Sequence, residues 1–179
     1  MNSSNSNTSN TITETIAARR SYTFSVLVRN EAGVLTRIAG MFSRRGFNIE
    51  SLAVGGSEQS GLSRMTIVVH ADPDEADQIK KQLDKLIDVI EVENLEQTPF
   101  VDRELILIRV KAETQNRLEI SQIAELFRAR IVDVAARSLI IEVTGDQGKL
   151  KAIVELLGKF GIELICRTGQ IALPRGSKK

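Results

Sequence analysis

Tryptophan is absent from the 179-residue chain, and aromatic residues make up only 4% of it. Stacking platforms for bases or sugars are therefore scarce. There is one Cys and one His, so neither an internal disulfide framework nor a Cys/His zinc site can form. A single Cys fits a reducing compartment. No apolar run approaches the roughly 18 to 20 residues of a membrane span. Neither sign of charge predominates: 24 Lys and Arg against 23 Asp and Glu leave a formal net charge of +1. That balance argues against nucleic-acid binding through a basic surface. The phosphate-binding patterns G-x-G-x-x-G and G-x-x-x-x-G-K-[ST] are also missing.

What is present is ordinary globular composition, 42% hydrophobic and 26% charged. The length suits one mid-sized domain or two small ones. Residues 1–20 are mostly Asn, Ser and Thr near the start and show no apolar periodicity. The expectation is a disordered polar tail, because it buries too little surface to offset its ordering entropy. It has no apolar core for a secretory signal. It is Ser-rich and nearly free of acids, as organelle transit peptides are, but it is short and its only basic residues are Arg19 and Arg20, which argues against import targeting.

From Thr23 to Arg29 apolar and polar residues alternate, which predicts a strand with Phe24, Val26 and Val28 on one face. A turn at Asn30–Gly33 precedes a helix whose stripe is Val34, Leu35, Ile38, Ala39 and Phe42, stopped by Gly46. Strands follow over Phe47–Val54 and Arg64–Ala71, joined by a Gly-rich loop from Gly55 to Gly61. That loop joins two strands and leads into no helix, so it reads as a hairpin loop rather than a phosphate cradle. Asp72 and Pro73 open a second helix with Ala76, Ile79, Leu83, Leu86 and Ile87 as its stripe, and Val89–Leu95 is a fourth strand. The order is βαββαβ.

The order then repeats. Leu105–Val110 is apolar on both faces and reads as a central strand. A stripe at Leu118, Ile120, Ile123, Ala124 and Phe127, strands at Ile131–Ala135 and Leu139–Val143, a stripe at Leu150, Ile153, Val154 and Leu157, and a strand at Ile162–Arg167 complete it. The expected fold class is α+β: two ferredoxin-like units in tandem, over 21–97 and 98–179, each an antiparallel four-stranded sheet with two helices on one face. The break falls in Glu96–Asp102, where Pro99 interrupts the periodicity. Units of roughly 75 residues are small for independent stability. The uncovered sheet face and edges call for pairing between units or chains, most simply a dimer.

Catalytic chemistry is poorly supported. His70 ends a strand with no nucleophile beside it and reads as a solvent-facing or interface residue. Cys166 lies within the last strand and reads as a buried, inert thiol. Glu142 and Glu163 read as outward strand positions. RNA-binding and metal-carrier domains share the βαββαβ order, but the former need aromatics on central strands and the latter paired Cys ligands. Neither is here.

One site is physically attractive. Gly33, Val34 and Leu35 open the first turn of the first helix, where backbone N–H groups lack intrahelical partners and the helix dipole is positive. A small carboxylate fits such a seat. Gly33 lets a ligand approach the backbone closely. Asn30 offers donor and acceptor groups suited to an α-amino acid, and Asn48 is a second short amide just after Gly46. Turn chemistry alone also accounts for Asn30, Gly33 and Asn48.

The run Asn30-Glu31-Ala32-Gly33-Val34-Leu35 resembles the N-x-x-G-x-L turn of ACT domains, the small-molecule sensing modules of amino-acid metabolism. The longer stretch NEAGVLTRIAGMFSRRGFNIESLAV, Asn30 to Val54, is similar to the small regulatory subunits of acetolactate synthase (acetohydroxyacid synthase). LSRMTIVV (62–69), KQLDKLIDVIEV (81–92), FRARIVDV (127–134) and RTGQIAL (167–173) agree with the same family, so the resemblance covers about residues 22–175.

The resemblance implies a non-catalytic subunit. It would bind the large catalytic subunit, raise its activity and confer feedback inhibition by valine or another branched-chain amino acid. Thiamine diphosphate, Mg2+ and FAD would sit on the partner, and no cofactor or metal on this chain. The effector would lie between two ACT domains of a homodimer. Asn30 and Gly33 fall on effector-contacting positions, Val34 and Leu35 would supply backbone N–H groups, and Asn48 and Ile49 of the neighbouring domain would complete the pocket. Thr36 stands one position on, where a bulkier side chain would damage the site. The second unit carries KAETQNRL (111–118) in place of the N-x-x-G-x-L turn, so no second effector site of that type is expected. Its expected role is contact with the catalytic subunit or dimer support, with Arg128, Arg130 and Arg137 as exposed candidates. No nucleic acid or membrane partner is expected. The implied location is cytoplasmic, or the plastid stroma in a photosynthetic eukaryote. A free-standing ACT-type sensor acting on another partner is the alternative; a transcriptional version would need a DNA-binding helix pair that this chain does not have to spare.

Overall fold

The computed structural model describes residues 19–176. Most of the expected polar tail lies outside those residues. Arg19 and Arg20, assigned to the tail from sequence, belong instead to the folded chain. Arg20 opens the first strand, and the Arg19 guanidinium lies 3.0 Å from Glu75 and donates to the His70 carbonyl.

The first unit runs β1 (Arg20–Arg29), α1 (Val34–Arg44), β2 (Ile49–Gly56), β3 (Leu62–Ala71), α2 (Pro73–Leu83) and β4 (Val89–Asn94), then a 3-10 turn at Leu95–Gln97. Its antiparallel sheet has the order β2-β3-β1-β4, so β1 and β3 are central. Tyr22, Phe24, Val26 and Val28 of β1 pack with Met65, Ile67 and Val69 of β3 and with Val34, Ile38, Met41 and Phe42 of α1. Full burial of each large side chain is worth about 2–3 kcal/mol. The helices start and stop for local reasons. Asp72 accepts from the Glu75 N–H at 2.8 Å while the Glu75 carboxylate accepts from the Asp72 N–H, a reciprocal cap with Pro73 in the first turn. Gly46, at φ 70°, ends α1 in the left-handed conformation that glycine adopts without strain. The other sheet face is closed as well: Thr23, Ser25, Leu27, Thr66 and Val68 are buried, and so is Leu95 of the 3-10 turn.

The second unit runs β5 (Phe100–Lys111), α3 (Arg117–Leu126), β6 (Arg130–Val134), β7 (Ser138–Gly145), α4 (Gln147–Gly158) and β8 (Ile162–Arg167). Its order β6-β7-β5-β8 makes β5 central, as its composition predicts. Only one face of β5 is fully covered. Ile106, Ile108 and Val110 are wholly buried, whereas Leu107 on the opposite face is exposed. Cys166, expected as a buried thiol, is exposed. It stands directly across from Leu107 on the edge strand β8, on the face without helices.

A ninth strand, β9 (Ile171–Pro174), pairs with β5 and was not visible in the sequence periodicity. Contacts divide the chain into one compact unit that runs to Phe100 and takes in residues from Ala172 on, and another over Val101–Ile171. The Arg175 N–H donates to the Pro99 carbonyl at 2.8 Å, which closes the C-terminal strand onto the start of β5. Among the described residues no helix is long and apolar enough to cross a membrane.

Candidate functional site

The site expected from sequence begins where β1 gives way to α1. The Arg29 N–H donates to the Asp88 carbonyl and the Asn30 N–H to the Gly61 carbonyl, both at 2.9 Å. These bonds pin the end of β1 between the β2–β3 hairpin and the loop before β4. The chain then reverses through Gly33, at φ 86°, which is the N-cap residue of α1. No side chain caps this helix and its first turn holds no acid. The first intrahelical bond runs from the Arg37 N–H to the Gly33 carbonyl at 2.9 Å. The Val34 N–H, expected to be free, closes the turn onto the Glu31 carbonyl at 3.4 Å, a long bond. The amides of Leu35 and Thr36 have no backbone acceptor and face outward at the positive end of the helix dipole. The Val34 side chain is buried in the core, so only its backbone borders the site; Asn30, Gly33, Leu35 and Thr36 are exposed.

Two residues at this end were missed from sequence. Arg37 donates from Nε to Asp88 Oδ2 at 2.5 Å, and its Nη1 lies 3.0 Å from where a Cβ on Gly33 would stand. Arg37 was findable, four residues after Gly33 on one helix face. Asp88 was not, because nothing local links it to a residue 51 positions away. Its carboxylate is nearly buried, and its partner guanidinium is half exposed. The result is an ion pair beside open amides, with the half-exposed guanidinium on the side of Gly33.

Asn48 and Ile49 are at the far end of the unit. Asn48 is exposed between α1 and β2, and Ile49 pairs with Val69 at the end of β3. Arg29 pairs with Leu62 at the start of β3. From Leu62 to Val69 at ~3.3 Å per residue is about 23 Å. One copy of the chain therefore brings Asn30, Gly33, Val34, Leu35 and Thr36 together and keeps Asn48 and Ile49 apart from them. Among the described residues no group of three or more His, Cys, Asp or Glu side chains is placed to hold a metal ion.

The βαββαβ order alone fits several classes of domain; the family match makes the first unit an ACT domain. Residues 24–91 match the family model of the AHAS small subunit-like ACT domain, and residues 103–176 that of the small subunit of acetolactate synthase. The chain belongs to the acetolactate synthase small-subunit family. It is 52% identical to a probable acetolactate synthase small subunit of Archaeoglobus fulgidus, over 88% of this chain and 99% of that one. It is 51% identical to the chloroplastic acetolactate synthase small subunit 2 of Arabidopsis thaliana, over 87% of this chain but 32% of that longer protein. The crystal structure of the small subunit from Thermotoga maritima superposes with a TM-score of 0.81 at 42% identity, covering 88% of this chain and 99% of that one.

Proposed function

We propose that this chain activates the thiamine diphosphate-dependent catalytic subunit of acetolactate synthase and makes it sensitive to valine. The reaction it would govern joins two pyruvates into 2-acetolactate, or pyruvate with 2-oxobutyrate, at the entry to branched-chain amino-acid synthesis. The chain itself would perform no chemistry and hold no cofactor. Thiamine diphosphate, Mg2+ and FAD would belong to the partner.

The observation that carries this reading is the open N-terminus of α1. Over Gly33 lies only the end of the flexible Arg37 side chain, and among the described residues the Leu35 and Thr36 amides have no backbone acceptor. A carboxylate of an α-amino acid would satisfy them, and the Asn30 amide would meet its ammonium group. The separation of Asn48 and Ile49 from this seat fits a pocket shared between two copies, each giving one half. An effector bound there would favour one dimer arrangement over another. Coupling of about 1–3 kcal/mol to the catalytic subunit would be typical, and it would act in both directions. Work in the cytoplasm, or in the plastid stroma for a photosynthetic source, completes the reading.

The test is acetolactate formation by the cognate catalytic subunit, with and without this chain, across a valine titration. Activation followed by inhibition supports both parts. Activation without inhibition discards the effector site and keeps the subunit role. No activation overturns the reading.

A further inference from the structure

The two units end their first helices with the same hydrogen-bonded motif, built on different residues. After α1, the Gly46 N–H bonds the Ser43 carbonyl and the Phe47 N–H the Phe42 carbonyl, each at 3.1 Å. After α3, the Arg128 N–H bonds the Glu125 carbonyl at 2.9 Å and the Ala129 N–H the Ala124 carbonyl at 2.8 Å. The left-handed residue of this motif is ordinarily glycine. In the second unit it is arginine, at φ 50°, and among the described residues it is the non-glycine residue with positive φ. A strained residue of this kind persists only where its surroundings hold it, and such residues cluster at functional positions.

Among the described residues Arg128 meets no carboxylate or carbonyl acceptor. Arg130, a few residues on, pairs with Glu142 at 2.5 Å, and Arg117 donates to the carbonyls of Ala135 and Ala136. Beside Arg128, Leu126 is 81% exposed although it closes an otherwise amphipathic helix. Leu126, Phe127, Arg128 and Lys149 together line an open depression of about 300 Å³. One guanidinium without a partner among the described residues and an apolar wall meet there; the Lys149 ammonium donates to the Thr144 carbonyl at 2.8 Å, and none of the four lining residues is acidic.

We infer that this depression is a docking point for the acetolactate synthase catalytic subunit. It would receive a surface segment that presents a carboxylate next to an apolar side chain. The carboxylate would meet the Arg128 guanidinium, whose planar donors suit it, with Lys149 close by. The apolar group would cover Leu126. The inference rests on the regulatory-subunit reading and specifies which surface of the second unit serves it.

Arg128→Gly is the informative variant. It removes the guanidinium and replaces it with the residue that the backbone prefers, so folding should not suffer. The full chain and this variant are titrated into the catalytic subunit, reading acetolactate formation and direct binding. The expected result is a rise of roughly 10-fold or more in the concentration for half-maximal activation, as for loss of an interface anchor. The thermal midpoint of the isolated variant should not fall. Arg128→Glu should weaken activation further, and Arg130→Ala should titrate like the wild type. An Arg128→Gly curve that overlays the wild type overturns the inference while leaving the regulatory reading intact. If instead the variant changes the oligomeric state of the isolated chain, the occupant is a second copy and the inference falls. A wild-type chain that neither binds nor activates removes the regulatory reading and this inference together.

Discussion

Arg37 and Asp88 meet through a single short hydrogen bond, Nε to Oδ2 at 2.5 Å, that ties α1 to the loop entering β4. The two partners are unequally exposed, at 47% and 9% for their side chains. Losing one is therefore not equivalent to losing the other. Asp88→Ala leaves a guanidinium that water can solvate and should cost about 1 kcal/mol. Arg37→Ala leaves a nearly buried carboxylate without its cation and should cost about 2–3 kcal/mol. Urea unfolding of both variants checks the order. Equal costs would show that burial of Asp88 does not matter.

Gly33 offers a separate prediction, about regulation. Gly33→Ala keeps the site uncharged but places a Cβ at φ 86° and 3.0 Å from Arg37 Nη1. Strain of about 1–2 kcal/mol is expected. Gly33→Asp adds a carboxylate where the effector's carboxylate would sit. The valine concentration for half inhibition should rise at least 10-fold, about 1.4 kcal/mol, with activation of the catalytic subunit preserved. Inhibition curves on the reconstituted enzyme decide the matter, and an unshifted midpoint in Gly33→Asp would remove the effector from α1.

The caps of the later helices should behave as stability elements without regulatory weight. Asp72 accepts from Glu75 N–H at 2.8 Å, and Asp146 accepts from Lys149 N–H at 2.8 Å. Replacing either by Ala should cost about 1 kcal/mol. The valine midpoint should stay where it is. A large regulatory effect of Asp72→Ala would mean that the helix opposite α1 participates in effector binding.

Cys166 gives a chemical readout of the second sheet. It is exposed on the face that no helix covers. An aromatic disulfide reagent should label it in the folded chain without denaturant. Labelling that waits for unfolding would place another surface over β8, in the assembled protein, where this chain alone leaves it open.

Much of the fold is legible in the sequence because its periods are clean. Phe24, Val26 and Val28 mark β1 by strict alternation, and Ile38 with Phe42 marks α1. The turn at Asn30–Gly33 announces the start of that helix, and the structure puts glycine at its cap with no competing side chain. The misses share a cause. Four-residue β9 is too short to show a period. The Arg37–Asp88 pair depends on chain folding over 51 positions. Exposure of Cys166 follows from β8 being an edge strand, which pattern within one strand does not reveal. The left-handed Arg128 stands where sequence rules look for glycine, so the second unit's helix end carries no local signal. The candidate site was legible only in half: the amides of α1 follow from Gly33, whereas the distance to Asn48 and Ile49 required the β3 register.

The pairing of β9 with β5, together with the bond from the Arg175 N–H to the Pro99 carbonyl, ties the last described residues to the point where the second unit begins. A fragment that stops at the end of β8 would lose that strand and leave the Pro99 carbonyl without this donor. It is therefore not a neutral stand-in for the described second unit: a difference in its stability would report the loss of β9 as well as the loss of anything the segment binds.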